Sequence, residues 1–241
     1  MNALKKLWKQ RWILRSIFSS IFFNFYYLPF RQAVHLPILL YKPKFISLGG
    51  QIVIKSDCIK FGMIQLGRCF VPVYPNTGII WENKKGRVSF LGECKIGGNS
   101  SLSVNKGANI IFHDDFVATS SVQIISFKAI TFGCKCRLGW NSLVMDTGFH
   151  PLYDIEKKKF KPAFGAITIG DYNWFGNQCV VMHSVTTPER CIFGLRSVIT
   201  RGGKYESYAV HGGSPAKLLT RGVMRDYDND YVEDYGNEEV Y

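Results

Sequence analysis

The chain has 241 residues, 46% of them hydrophobic, enough to bury a full core as one repetitive domain or as one domain with tails. Its net charge of +12 is unevenly placed: residues 1–50 hold eight Lys or Arg and no acid, whereas 226–239 hold seven Asp or Glu, so the two ends must behave differently. Seven cysteines, an odd number with no C-x-x-C pair, argue against a disulfide framework or a zinc ribbon and fit a reducing, cytoplasmic setting; the cations are not interleaved with a stacking platform, which argues against nucleic acid.

Residues 1–45 read as a basic, apolar segment of helical character. Lys5, Lys6, Lys9, Arg11 and Arg15 precede the run "SIFSSIFFNFYYLPF", which lacks a small-x-small cleavage site. Only 15 residues separate Arg15 from Arg31, with Asn24 and Pro29 between them, too few to span a bilayer. Two readings stay open. The segment lies in a membrane interface, held by anionic lipids and placing the chain peripherally at the inner face of a membrane; or it packs on its own domain or on a neighbouring subunit.

Residues 46–203 read as a β-solenoid. From Gly86 onward the apolar residues recur every six positions, with three resets of register. One column holds Phe90, Phe112, Phe132, Ile169 and Thr187; a second, Ile96, Ala118, Leu138, Phe175 and Phe193; a third, Leu102, Ile124, Val144, Val181 and Ile199. A small residue fills the fifth place of the hexad (Cys94, Ser100, Cys136, Ser142, Cys179, Cys191, Ser197), and glycine often follows the column residue, where a bend is expected. Three hexads make one turn of a triangular coil whose stacked turns form parallel sheets. Four of the cysteines thereby become core residues.

Successive first-column residues are 22, 20, 37 and 18 apart, so the third coil carries about 19 extra residues, roughly 150–168. His150 stands at the mouth of this excursion, in "MDTGFHPLYD", and loops thrown from a rigid scaffold are where chemistry usually sits. Asp146 and His183 each lie two positions after a third-column residue, which places them as neighbours on one outer face, with Asp146 orienting either His150 or His183, or capping a turn. Residues 204–241 read as a short extension followed by an acidic, tyrosine-rich, disordered tail, "MRDYDNDYVEDYGNEEVY".

The runs "MDTGFHPLYD", "ITIGDYNWFGNQCVV" and "VHGGSPAKLL" together resemble the hexapeptide-repeat acyltransferases, within them most the sugar and polysaccharide O-acetyltransferases such as the maltose and galactoside enzymes, over about residues 88–223. The resemblance implies a left-handed parallel β-helix, a homotrimer with sites between subunits, and acetyl-coenzyme A as acyl donor to a saccharide hydroxyl. It gives His150 the role of general base in a direct transfer without an acyl-enzyme, a task to which imidazole is suited near neutrality. His183 is the rival for that role and otherwise a substrate-binding residue. Trp174, Gly176, Thr200, Arg201 and Lys217 match the coenzyme-binding segments, and Lys159, in a loop with Lys157, Lys158 and Lys161, suits an acidic glycan. No metal is implied. This chain departs from the family pattern at Leu195, Arg196 and Arg201, and lacks a glutamate that some sugar acetyltransferases carry before the returning strand. N-acetylation of an amino-sugar nucleotide and a non-catalytic assembly role are the alternatives.

Overall fold

A computed structural model describes residues 16–70, 72–227 and 229; the five basic residues before Ser16 and most of the acidic tail lie outside these. Every third strand returns to the same sheet, so the chain winds round three walls of six, nine and seven strands. The first wall contains Arg87–Phe90, Asn109–Phe112, Ala129–Phe132, Ile167–Ile169 and Thr186–Thr187. The second contains Cys94–Gly97, Phe116–Ala118, Arg137–Leu138, Trp174–Phe175 and Cys191–Phe193. The third contains Ser100–Val104, Gln123–Ser126, Leu143–Met145, Val180–Val181 and Val198–Ile199.

Pairing within each wall is parallel, save for the last strand of the second, and its register reproduces the three columns residue for residue. Phe90 pairs with Phe112, Phe112 with Phe132, Phe132 with Ile169 and Ile169 with Thr187. The Ile96 and Leu102 columns run unbroken in the same way to Phe193 and Ile199. In-register stacking brings like side chains into contact: the rings of Phe90, Phe112 and Phe132 lie 5.4 and 5.3 Å apart and nearly parallel, each pair contributing about 0.5–1.5 kcal/mol beyond the area it buries. The small slot is buried throughout, and burial pushes the Cys136 and Cys191 thiols up to about 12 and Cys179 to about 11, leaving these cysteines as inert apolar filler.

The bends divide their labour differently from the sequence expectation. Left-handed φ values fall three residues after the column position, on Tyr172, Gln178, Ser184, Arg190 and Arg196, at an interval of six and with no glycine among them. The glycine directly after the column residue serves close stacking. A Cβ on Gly133 would stand 2.6 Å from the Asp171 amide nitrogen and 2.7 Å from the Gly170 carbonyl carbon in the next coil.

The parallel stack is already under way at Ile38–Leu40, paired with Ile64–Leu66, ahead of the hexads legible from Gly86. Long connections at 55–63 and 69–78 hide the period in these first turns. Ala209–Gly212 adds a last parallel strand to the second wall, and Lys217–Arg221 turns back antiparallel on it and closes that edge. At the other end a helix over 16–27 lies against the edge strand Ile38–Leu40. No helix among the described residues is long and apolar enough to cross a membrane. The first residues of the tail lie against the coil: the Arg190 guanidinium donates to the Met224 sulfur at 3.4 Å, and Arg225 lies over the Trp174 ring.

Candidate active site

The third coil leaves the stack after Met145 and rejoins it at Ile167. Its excursion is a small hairpin, with Tyr153–Asp154 paired antiparallel to Lys159–Phe160 and an ion pair from Lys161 to Asp154 at 3.4 Å. Three features stiffen its base. Thr147 bridges to Phe164, the Gly148 amide donates to the Ala163 carbonyl at 2.7 Å, and the Phe127 ring meets Phe149 edge-on at 5.3 Å.

Phe149 has φ 61°, an unusual conformation for a bulky residue, and its amide donates to the Thr147 hydroxyl at 2.9 Å. This kink delivers His150 at the hairpin's foot, exposed, its imidazole without a hydrogen-bond partner among the described residues. A base held on a rigid foot with its ring open to solvent can receive a proton from a substrate hydroxyl.

Among the described residues the Asp146 carboxylate bonds to the preceding coil and not to either histidine. The carboxylate is fully buried and faces the preceding coil, where it accepts from the Ser126 hydroxyl at 2.9 Å, the Phe127 amide at 2.6 Å and the Lys128 amide at 2.9 Å. The expectation of an outward carboxylate beside His183 failed because alternation ends with the strand and because the excursion's return limb enters at that corner. The Gly165 amide donates to the Asp146 carbonyl at 2.9 Å, and its carbonyl accepts from the Ser184 amide at 3.0 Å, so Gly165 bridges the two coils there. A Cβ on Gly165 would overlap the Ser184 hydroxyl, which would have to rotate away to admit a side chain. Half-buried His183 has its Nδ1 3.1 Å from the Ser184 hydroxyl. Asp146 therefore works as a turn cap that fixes the root of the hairpin bearing His150.

A second feature lies on the outer face of the second wall. A groove of about 430 Å³ is lined by Trp174, Gly176, Trp140, Asn177, Leu195 and Arg225 among others. Trp174 and Gly176 both line this groove. Trp174 presents its indole beneath the Arg225 guanidinium, 4.8 Å from the ring centre, while the Asn177 side chain accepts from the Trp140 amide at 3.2 Å. Thr200, Arg201 and Lys217 are placed elsewhere. Thr200 follows the third-wall strand Val198–Ile199, its amide and carbonyl both bonded to the Tyr205 hydroxyl at 2.9 and 3.1 Å; Arg201 is exposed in the next turn, and Lys217 is exposed on the closing antiparallel strand. Lys159 is exposed on the hairpin. Arg225 and Trp140 went unread in the sequence: Arg225 sits among residues whose composition says tail, and only its return across the coil brings it to the groove. Trp140 carried a usable signal, standing two residues after the column residue Leu138 as an aromatic at a bend.

No family model matches the chain. Among curated proteins, the galactoside O-acetyltransferase of Escherichia coli (strain K12) is 26% identical over 129 residues, 54% of this chain and 62% of that protein. A putative acetyltransferase of Staphylococcus aureus (strain Mu50 / ATCC 700699) is 34% identical over 94 residues, 39% of this chain and 44% of that protein. The chain spans less than two thirds of the length of these curated relatives. Among solved structures, that of the polySia specific acetyltransferase NeuO matches with a TM-score of 0.57 at 17% identity, over 82% of this chain and 78% of that one, a likeness of fold. In sequence across part of its length and in fold across most of it, this chain is similar to the hexapeptide-repeat acetyltransferases.

Proposed function

We propose that this chain is an acetyl-coenzyme A dependent O-acetyltransferase of a saccharide, with His150 as general base. The observation that carries the reading is the foot of the hairpin, where a buried carboxylate, a β-bridge and a strained Phe149 together hold one imidazole out of a rigid coil with its nitrogens open to solvent. His150 takes the proton of the acceptor hydroxyl as that oxygen attacks the thioester carbon. The carbon–sulfur bond breaks, and the imidazolium returns its proton to the departing sulfur, so that no covalent link to the protein is needed.

The Trp174 groove fits the acyl donor. A long, partly apolar arm can lie along Trp174, over Gly176, which presents no side chain, while Arg225 supplies a cation for phosphate. Thr200, Arg201 and Lys217 are proposed to meet the donor's more distant polar parts. The coil is proposed to wind left-handed and to assemble as a homotrimer in the cytoplasm, the His150 foot of one subunit facing the groove of the next. Lys159 and the neighbouring lysines of the hairpin suit an acidic saccharide, with His183 on the acceptor side.

An acetyl-coenzyme A consumption assay against glycans, lipid-linked sugars and sugar nucleotides tests this reading. The wild-type chain is expected to turn over with a hydroxyl acceptor and His150→Ala to collapse. Normal turnover in His150→Ala with collapse in His183→Ala would transfer the base to His183, and failure to bind coenzyme A by calorimetry would remove the reading altogether.

A further inference from the structure

The helix over 16–27 is built inside out. A surface helix ordinarily turns its apolar stripe to the core and its polar face to water. Here the face turned inward carries Ser16, Ser20 and Asn24, all fully buried, with Phe23 and Tyr27 as the aromatic contacts. The polar groups serve the edge strand of the second wall. The Asn24 side chain accepts from the Ile38 amide at 3.1 Å and donates to the Ile38 carbonyl at 2.7 Å, and the Ser20 hydroxyl accepts from the Leu40 amide at 2.9 Å. These bonds satisfy backbone groups that an open sheet edge would leave unpaired. Phe23 then pins the helix, stacked on Phe45 at 5.7 Å and edge-on to the buried Trp81 at 5.1 Å.

The consequence is an apolar outer face. Phe18, Ile21, Phe22 and Phe25 follow the i, i+3, i+4, i+7 spacing of one stripe, with Tyr26 beside them and Phe30 just beyond the helix. Phe18 is 82% exposed, Phe30 73%, and Phe22 and Phe25 about half. A contiguous aromatic patch of this kind, on a helix whose polar residues are committed inward, marks a contact surface.

We propose that this face docks on an anionic lipid surface, the aromatic stripe entering the headgroup boundary while the flanking cations meet lipid phosphates. Charge selects the occupant: the first 50 residues hold eight Lys or Arg and no acid, five of them before Ser16. That balance attracts an anionic bilayer and opposes a second copy of the same face, which would bring two uniformly cationic segments together. The twelve described residues of the helix are fewer than a bilayer crossing needs, and an aromatic stripe along one side suits a helix lying in the plane of such a surface. The proposal is independent of the transfer reaction.

Vesicle flotation of the full-length chain tests it, with phosphatidylcholine alone or mixed with phosphatidylglycerol, at low and high salt. The chain is expected to float with the anionic vesicles only and to be released by salt. Phe18→Ser/Phe22→Ser/Phe25→Ser should lower partitioning about tenfold or more while the chain stays folded, because Phe18 is largely exposed and Phe22 and Phe25 are half-exposed at the rim of the contact with Phe45. Lys5→Gln/Lys6→Gln/Lys9→Gln should lower it by roughly a hundredfold. Absence of binding to anionic vesicles, equal binding to neutral ones, or unchanged binding of the serine variant would each overturn the proposal. So would a larger assembly in light scattering that the serine substitutions dissolve, since the occupant would then be a second copy. If the serine variant fails to fold, the lipid and salt dependence of the wild type and the lysine variant still decide.

Discussion

The coil and the hairpin it throws out at Asp146 hold their side chains by different means. In the coil each inward residue rests on an in-register partner above and below, as Phe112 does between Phe90 and Phe132, so its place is set by repetition. In the hairpin few side chains are buried, and position is set at the root alone, by Asp146, Thr147 and Gly165. Repetition gives rigidity without chemical variety. A single interruption, clamped where it begins, places a reactive group on that rigidity without disturbing it.

Substitutions on the two sides of this divide should separate activity from stability. The largest effect is expected for His150→Ala, which should lower turnover by about 10²–10⁴-fold while leaving the denaturation midpoint unchanged, since the residue is exposed. Loss of stability along with activity would mean that the hairpin is part of the folding core. Phe112→Ala makes the opposite case, with about 3–5 kcal/mol lost in chemical denaturation because a fully buried ring is removed from the middle of a stack.

Asp146→Ala straddles the divide. Stripping the partner from two amides and a hydroxyl should cost about 2–3 kcal/mol and lower turnover through a loosened root. The pH dependence of the remaining activity should keep its wild-type shape, whereas an orienting partner of the base would shift it. Gly133→Ala should cost roughly 1–3 kcal/mol by overpacking against the next coil, with no change in turnover per folded molecule.

The smallest effect is a pH dependence of the final coil. His211 is fully buried, stacks on Phe193 at 5.4 Å and accepts from the Glu206 amide at 3.1 Å; burial holds its pKa below the usual 6.5. Below about pH 6.5 the unfolded chain therefore binds a proton that the folded chain resists, and stability should fall as pH drops through that value. His211→Phe should flatten this limb in thermal melts recorded at successive pH values.

Much of the coil could be read in advance because a residue in a stacked hexad meets the same environment at every turn. Periodicity alone therefore names its column, and the Phe90, Ile96 and Leu102 columns needed no correction. The early turns, with their long connections, carried the same stack without a visible period. At the site, the position of His150 at the mouth of the hairpin was legible from the arithmetic of the interrupted third coil, whereas Trp174 and Gly176 were singled out by the family resemblance alone. The partner of Asp146 was not legible, because a side chain just past a strand end can turn to the coil below or above, and only the path of the returning limb decides between them.

By itself, then, the order of residues determined the three inward columns, the small buried slot and the point at which the chain leaves the coil, all consequences of short-range repetition. Three things were decided by tertiary structure alone: the inward turn of Asp146, the return of Arg225 over Trp174, and the outward aromatic face of the first helix. In the helix the composition suggested a basic, apolar segment and left open whether it faced lipid or packed on protein. Its orientation was set by the unpaired backbone of Ile38–Leu40, whose hydrogen-bonding demand drew Ser20 and Asn24 inward and left Phe18, Phe22 and Phe25 on the outer side.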